Sequence, residues 1–85
     1  MYFVYILLSK RYNKTYTGIT DNLDRRLKEH NEGSGIFSKR YRPWKILYSE
    51  IAKDRLLARK REKYLKSAAG RRWLKKYIFS GSAKT

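Results

Sequence analysis

No cysteine occurs anywhere in the chain. That excludes disulfides and thiolate metal sites, and it suits a reducing cytoplasm. Acidic residues are scarce, 7 Asp and Glu against 22 Lys and Arg, for a formal net charge of +15. A folded domain this basic repels itself and calls for an anionic partner, nucleic acid first and an anionic membrane surface second. No apolar run approaches the ~20 residues needed to cross a bilayer. The apolar opening YFVYILL is short and lacks both a basic leader and a small-residue cleavage site, so no signal peptide is expected. Disorder is also a poor reading, because hydrophobic residues make up 41% of the chain and aromatic residues 15%. The 85 residues suffice for one small domain with one modest core.

Residues 2–8 are aromatic, β-branched or aliphatic without a break, which predicts a strand covered on both faces. A polar turn around Asn13 leads to a second strand over residues 15–20, giving a hairpin. Gly18 inside that strand predicts a bulge or a close backbone approach. Asp21 is the expected cap of a helix that runs to about Asn31, with Asp24 completing a partial capping box. Residues 33–43, with two glycines and the one proline, read as a basic loop. A third strand follows over residues 44–52. A helix capped by Asp54 then runs to about Ala68 and stops near Gly70, and a short third helix covers residues 71–79 with Trp73, Leu74, Tyr77 and Ile78 as its apolar face. The expectation is an α/β (α+β) domain over residues 1–80, with element order β-β-α-β-α-α: a small three-stranded antiparallel sheet flanked by helices. Residues 81–85 read as a frayed tail.

Two charged residues sit badly in this pattern. Leu23, Arg26, Leu27 and His30 share one face of the first helix, the face that looks at the sheet. An arginine there needs an anionic partner, and the bland expectation is an ion pair with Asp24 or Glu50. His30 is ordinarily a hydrogen-bonded residue at a helix end. Tyr5 and Tyr16 lie on the two strands before this helix, though eight tyrosines make each one a weak signal. Glu62 is the one acidic residue in a long basic run, beside the stripe of Ala58, Leu65 and Ala69. A pair with Lys66 explains its sign but not its place next to apolar residues. A single carboxylate in a positive field is also how Mg²⁺ is held against a phosphate, because Mg²⁺ keeps most of its waters.

The segments Phe3-Val4-Tyr5 and Tyr16-Thr17-Gly18 resemble the two halves of the GIY-YIG nuclease motif. Arg26 follows at the family's spacing, His30 lies one turn further on, and Glu62 falls on the later helix where the family keeps its metal ligand. The resemblance covers nearly the whole chain and is strongest to the small standalone bacterial members. It implies hydrolysis of a phosphodiester, DNA favoured, with one divalent ion, Mg²⁺ or Mn²⁺, on Glu62. Tyr5, Tyr16, Arg26, His30 and Glu62 would be the catalytic set and Gly18 a backbone element of the motif. Arg26 would stabilise charge on the phosphate, and one of the two tyrosines would activate water. Which one stays open, with Tyr5 favoured as base and Tyr16 as the positioning group. A phenol has an ordinary pKa of ~10 and needs help to lose its proton near neutrality; a hydrogen bond from His30 would supply it. The chain departs from the motif at Phe3, Thr17 and Ile19, the last often basic in relatives, and has no asparagine after Asn31 to match a late one used by some members.

Lys39, Arg40 and Arg42 with Tyr41, and Arg71 and Arg72 with Trp73, are basic clusters interleaved with aromatics, suited to phosphate contact and base stacking. They would serve a non-catalytic nucleic-acid binder equally well, and metal dependence separates the two readings. Membrane binding is the weakest reading, since a small core consumes the apolar stripes of the helices. Such a small domain leaves substrate choice to nucleic-acid shape, to a homodimer or to a partner protein.

Overall fold

A computed structural model describes residues 1–79 of the chain. Its centre is strand β1 (Tyr2–Ser9), flanked by β2 (Thr15–Thr20) and β3 (Trp44–Ala52) in the antiparallel order β2-β1-β3. The central place of β1 accounts for its unbroken apolar sequence: Val4, Tyr5, Ile6 and Leu7 are each at most 1% exposed. Side chains alternate across a strand, and the core divides accordingly. Val4 and Ile6 pack with Ala58, Leu65 and Leu74 of helices α3 (Arg55–Lys66) and α4 (Ala68–Leu74). Tyr5 and Leu7 pack with Trp44, against Leu23 and Leu27 of helix α1 (Leu23–Asn31) and Tyr41 of the short helix α2 (Ile36–Tyr41). A π-helical turn, Lys75–Phe79, follows α4.

The expected fold class and succession of main elements hold, with one addition and several shifted boundaries. The stretch expected to be a loop contains α2. Six residues between glycines and a proline are too few to display a helical period. The helix is held from outside, by the Trp44 indole donating to the Ser38 carbonyl at 3.0 Å, next to a reciprocal clamp of Asn31 on the Trp44 backbone (2.5 and 3.2 Å). The cap of α1 is Asn22, whose side chain accepts from the Arg25 N–H at 3.0 Å, while Asp21 pairs with the Arg25 guanidinium at 2.9 Å. Asp54 caps α3 as expected, accepting from Leu57 N–H at 2.9 Å.

Gly70 does not end a helix. The chain breaks at Ser67, whose hydroxyl caps α4 by accepting from Gly70 N–H at 3.2 Å. A Cβ on Gly70 would lie 2.0 Å from the Tyr64 carbonyl oxygen and 2.5 Å from Leu65 Cα. The glycine therefore lets α4 fold back onto the end of α3. Ala69 lies in α4, so the buried stripe of α3 stops at Leu65. The last helix accordingly starts earlier than expected, and its apolar Trp73, Leu74 and Ile78 do pack on the core. The tail expected at residues 81–85 lies outside the described residues.

Candidate active site

The face of the sheet under α1 and α2 carries polar groups where its opposite carries aliphatic ones. Tyr5 stands opposite Gly18 in the β1–β2 register, and Leu7 opposite Tyr16. The register is regular there, so Gly18 marks a close approach rather than a bulge. A Cβ on it would meet the Tyr5 hydroxyl at 2.7 Å and the Tyr16 ring at 3.0 Å. The absent side chain leaves the Tyr5 ring lying across β2, beside Tyr16 at a centroid distance of 6.2 Å.

His30 closes this group from α1. It is 1% exposed; its Nε2 meets the Tyr5 hydroxyl at 3.1 Å, and its Nδ1 is hydrogen-bonded to Ser38 Oγ of α2. The ring also packs against Tyr16, centroid to centroid 4.5 Å. Burial, and then the charge of Arg26, lower the His30 pKa from 6.5 to about 4, against an opposing pull from Glu29. His30 is thus a neutral imidazole near pH 7, and one of its nitrogens can accept a proton.

Arg26 lies half-buried on the same helix, one turn before His30. Its partner is Glu29, Nη1 to Oε1 at 2.9 Å, and not Asp24 or Glu50. Glu50 is engaged elsewhere, by Arg61 at 2.5 Å and by the Tyr48 hydroxyl. Burial works against the Arg26 charge, but hydrogen bonds to Glu29, Tyr5 and Tyr16 outweigh it and raise its pKa. Tyr5 is shifted upward: burial dominates, the Arg26 hydrogen bond opposes it, and the neighbouring Tyr16 and Glu62 add to it. Tyr5 is therefore a protonated phenol in the free protein.

Glu62 approaches from α3, with its side chain 14% exposed. Its oxygens are paired with Lys66 at 3.2 Å and, more loosely, with Arg59 at 3.9 Å. Among the described residues no group of three or more His, Asp or Glu gathers into a metal cage. What Glu62 offers is one carboxylate close enough to Tyr5 to raise its pKa, with Lys66 and Arg59 beside it. That donor set fits a hard cation that keeps its waters and takes its remaining oxygen ligands from a phosphate.

Tyr5, Tyr16, Arg26 and His30 are thus brought together. The basic clusters divide. Arg71 lines a groove of about 350 Å³ with Tyr16, Phe37 and Lys66, whereas Arg72 is exposed outside it. Lys39, Arg40 and Arg42 line a separate cleft of about 430 Å³ with Arg11 and Tyr12. Ser38 and Glu29 escaped the sequence reading. Ser38 was hidden inside the supposed loop. Glu29 was legible, since three residues along a helix places it beside Arg26.

The chain, a three-stranded sheet with helices on both faces, matches the family model of the GIY-YIG catalytic domain over residues 1–78. The chain belongs to that family, a family of nucleases. Among relatives, it is 43% identical over 67 residues to a UPF0213 protein of Clostridium perfringens, covering 78% of this chain and 71% of the relative. A UPF0213 protein of Staphylococcus haemolyticus is 35% identical over 75 residues, 87% and 90% of the two chains. The solution NMR structure of a UPF0213 protein from Bacillus halodurans is similar with a TM-score of 0.50 and 32% identity, covering 86% of this chain and 80% of that one.

Proposed function

We propose that the protein is a metal-dependent endonuclease that hydrolyses phosphodiester bonds of DNA, selects substrates by their structure and serves DNA repair or processing. The observation that carries this reading is the convergence of two tyrosines, a half-buried arginine and a buried neutral histidine: Tyr5 is hydrogen-bonded to His30, Tyr16 packs on both rings, and Arg26 acts electrostatically on Tyr5 and His30. Arg26 is suited to the non-bridging oxygens of the attacked phosphate, where a guanidinium can place two parallel donors. Tyr16, half-buried at the groove, orients the attacking water. Tyr5 takes the proton of that water as its own hydroxyl proton moves to His30 Nε2. The raised Tyr5 pKa favours such a concerted transfer over a standing phenolate. A phosphate beside Arg26 offsets the positive charge that lowers the His30 pKa, so substrate binding itself strengthens the proton acceptor. The water oxygen bonds to phosphorus, one bridging oxygen leaves, and solvent protonates it.

Glu62 is the residue suited to hold one Mg²⁺ or Mn²⁺; when bound, such an ion supplies Lewis-acid stabilisation of the phosphoryl group. Lys39, Arg40, Arg42, Arg71 and Arg72 supply phosphate contacts along the surface. A second reading, a binder without catalysis, is favoured by the ion pairs that Glu62 already makes with Lys66 and Arg59. Nicking of plain and branched DNA with and without Mg²⁺ separates the two. Metal-dependent cleavage lost in Glu62→Ala and in Arg26→Ala supports the nuclease; activity unchanged by both substitutions together removes it.

A further inference from the structure

Phe37 is 42% exposed although it stands at the edge of the site. Its ring is fixed from behind, stacked on buried Trp44 at a centroid distance of 5.8 Å and 26° between planes, and braced by Tyr41 at 4.8 Å. The part left free borders the groove of about 350 Å³ that also reaches Tyr16. Lys66 and Arg71 also line that groove. Among the described residues Arg71 has no carboxylate partner, and Lys66 is tied to Glu62 at 3.2 Å. The groove thus combines a partly exposed aromatic ring, braced by Trp44, Tyr41 and, at 6.2 Å, Tyr16, with two cations.

We propose that this groove is a track for an unpaired nucleotide, with its base stacked on Phe37 and its phosphate against Arg71 and Lys66, so that the enzyme acts next to single-stranded nucleic acid. The inference rests on the nuclease reading for its catalytic consequence but not for its binding. Aromatic faces beside cations are the means by which proteins hold single strands without reading sequence, because every base has a π-face. A duplex cannot use the platform without unstacking and unpairing a base, which costs a few kcal/mol. The cationic lining argues for this occupant over an apolar peptide or a second copy of this very basic chain, which it would repel. A phosphate on Lys66 also competes with Glu62 for the ammonium, so loading the track loosens the Glu62–Lys66 pair.

The test is binding of the full chain, without added metal and in EDTA, to a fluorescein-labelled oligothymidine strand and to a blunt duplex of matched length. Phe37→Ala should weaken strand binding roughly five- to a hundred-fold, the range expected for one stacked base, and move duplex binding by less than about two-fold. Phe37→Leu, which keeps packing volume against Trp44 but has no π-face, should behave like Phe37→Ala, whereas Phe37→Trp should retain strand binding. Strand affinity that is unchanged in both Phe37→Ala and Phe37→Leu overturns the proposal. Equal losses on strand and duplex overturn it too, as does Phe37-dependent self-association in place of strand binding. A Mg²⁺ cleavage assay on the same strands is read separately: absence of cleavage with Phe37-dependent strand binding removes the nuclease reading and leaves the track standing.

Discussion

The two faces of the sheet solve different problems with neighbouring residues of one strand. Val4 and Ile6 enter an aliphatic cluster with Ala58, Leu65 and Leu74. Tyr5, between them in sequence, enters a cluster of rings and hydrogen bonds with His30, Tyr16 and Arg26. The first face gains stability from removing apolar surface from water. The second buries groups that water would solvate well, and holds them in place by giving each a partner. No buried side-chain nitrogen or oxygen among the described residues lacks a hydrogen bond, so the polar face is satisfied where it is buried. The lesson is that the period-two pattern of β1 separates folding from chemistry at a spacing of one residue.

The separation can be broken most strongly on the polar side. Arg26→Ala should lower metal-dependent cleavage by about 10²–10³-fold, the cost of losing a charge-stabilising donor at the reacting centre. Its melting temperature should move little, because the group is half-exposed, its ion pair among the described residues is with a partly exposed glutamate, and Tyr5 keeps its hydrogen bond to His30. On the aliphatic side Ile6→Ala should reverse the pattern, removing about 2–5 kcal/mol of stability through lost burial and a cavity. Its residual activity per folded molecule should stay near that of the parent chain. Denaturant melts of both variants alongside cleavage rates check the pair. A large stability loss in Arg26→Ala, or a specific activity loss in Ile6→Ala, would show that the faces are not independent.

Acid should expose the same asymmetry. His30 has a folded pKa of about 4 against an ordinary value of 6.5. Between those values the unfolded chain binds a proton that the folded chain refuses. Stability from the neutral buried imidazole is therefore complete above about pH 6.5 and is lost as pH falls through about 4, by about 3 kcal/mol in all. Urea melts across that window should show the slope, and His30→Gln should flatten it. A slope that survives the substitution would place the acid sensitivity elsewhere.

What the sequence could and could not reveal follows from the kind of interaction. Strands β1 and β2, helix α1 and the cap of α3 are set by local pattern, and they were legible. The pairing of Tyr5 with Gly18 was half legible: the glycine announced a close approach, but not that a tyrosine ring fills the space. Helix α2 was not legible, because its six residues are held by Trp44 and Asn31 from distant elements. Gly70 reads in sequence as a stop, since glycine often follows a helix, whereas in the fold it is demanded by the Tyr64 carbonyl, 2.0 Å from where a Cβ would stand. The site inherits this division. Arg26 and Glu62 stood out as charges on or beside apolar stripes, while Ser38 was invisible until α2 existed.

Ser38 gives the finest test of the comparison, because it joins the two properties that the faces otherwise divide. Its hydroxyl is buried and hydrogen-bonded to His30 Nδ1, and its carbonyl accepts from the Trp44 indole. Two proton arrangements satisfy the His30–Ser38 bond. In one, Nδ1 carries the proton and donates to Ser38 Oγ, leaving Nε2 free to accept from Tyr5. In the other, Ser38 donates to Nδ1, and Nε2–H points at the Tyr5 oxygen. Only the first lets Tyr5 give up its proton to His30, and only a group able to accept from Nδ1 favours it. Ser38→Ala should therefore lower the cleavage rate by about five-fold, the equivalent of ~1 kcal/mol for one hydrogen bond, with substrate affinity unchanged. Stability should fall by a similar ~1 kcal/mol, since Nδ1 is left buried without a partner. Ser38→Thr keeps the hydroxyl and should restore both. A purely structural serine would lose stability in the alanine variant but keep the rate per folded molecule and the shape of its pH profile, and that outcome would remove Ser38 from the proton path.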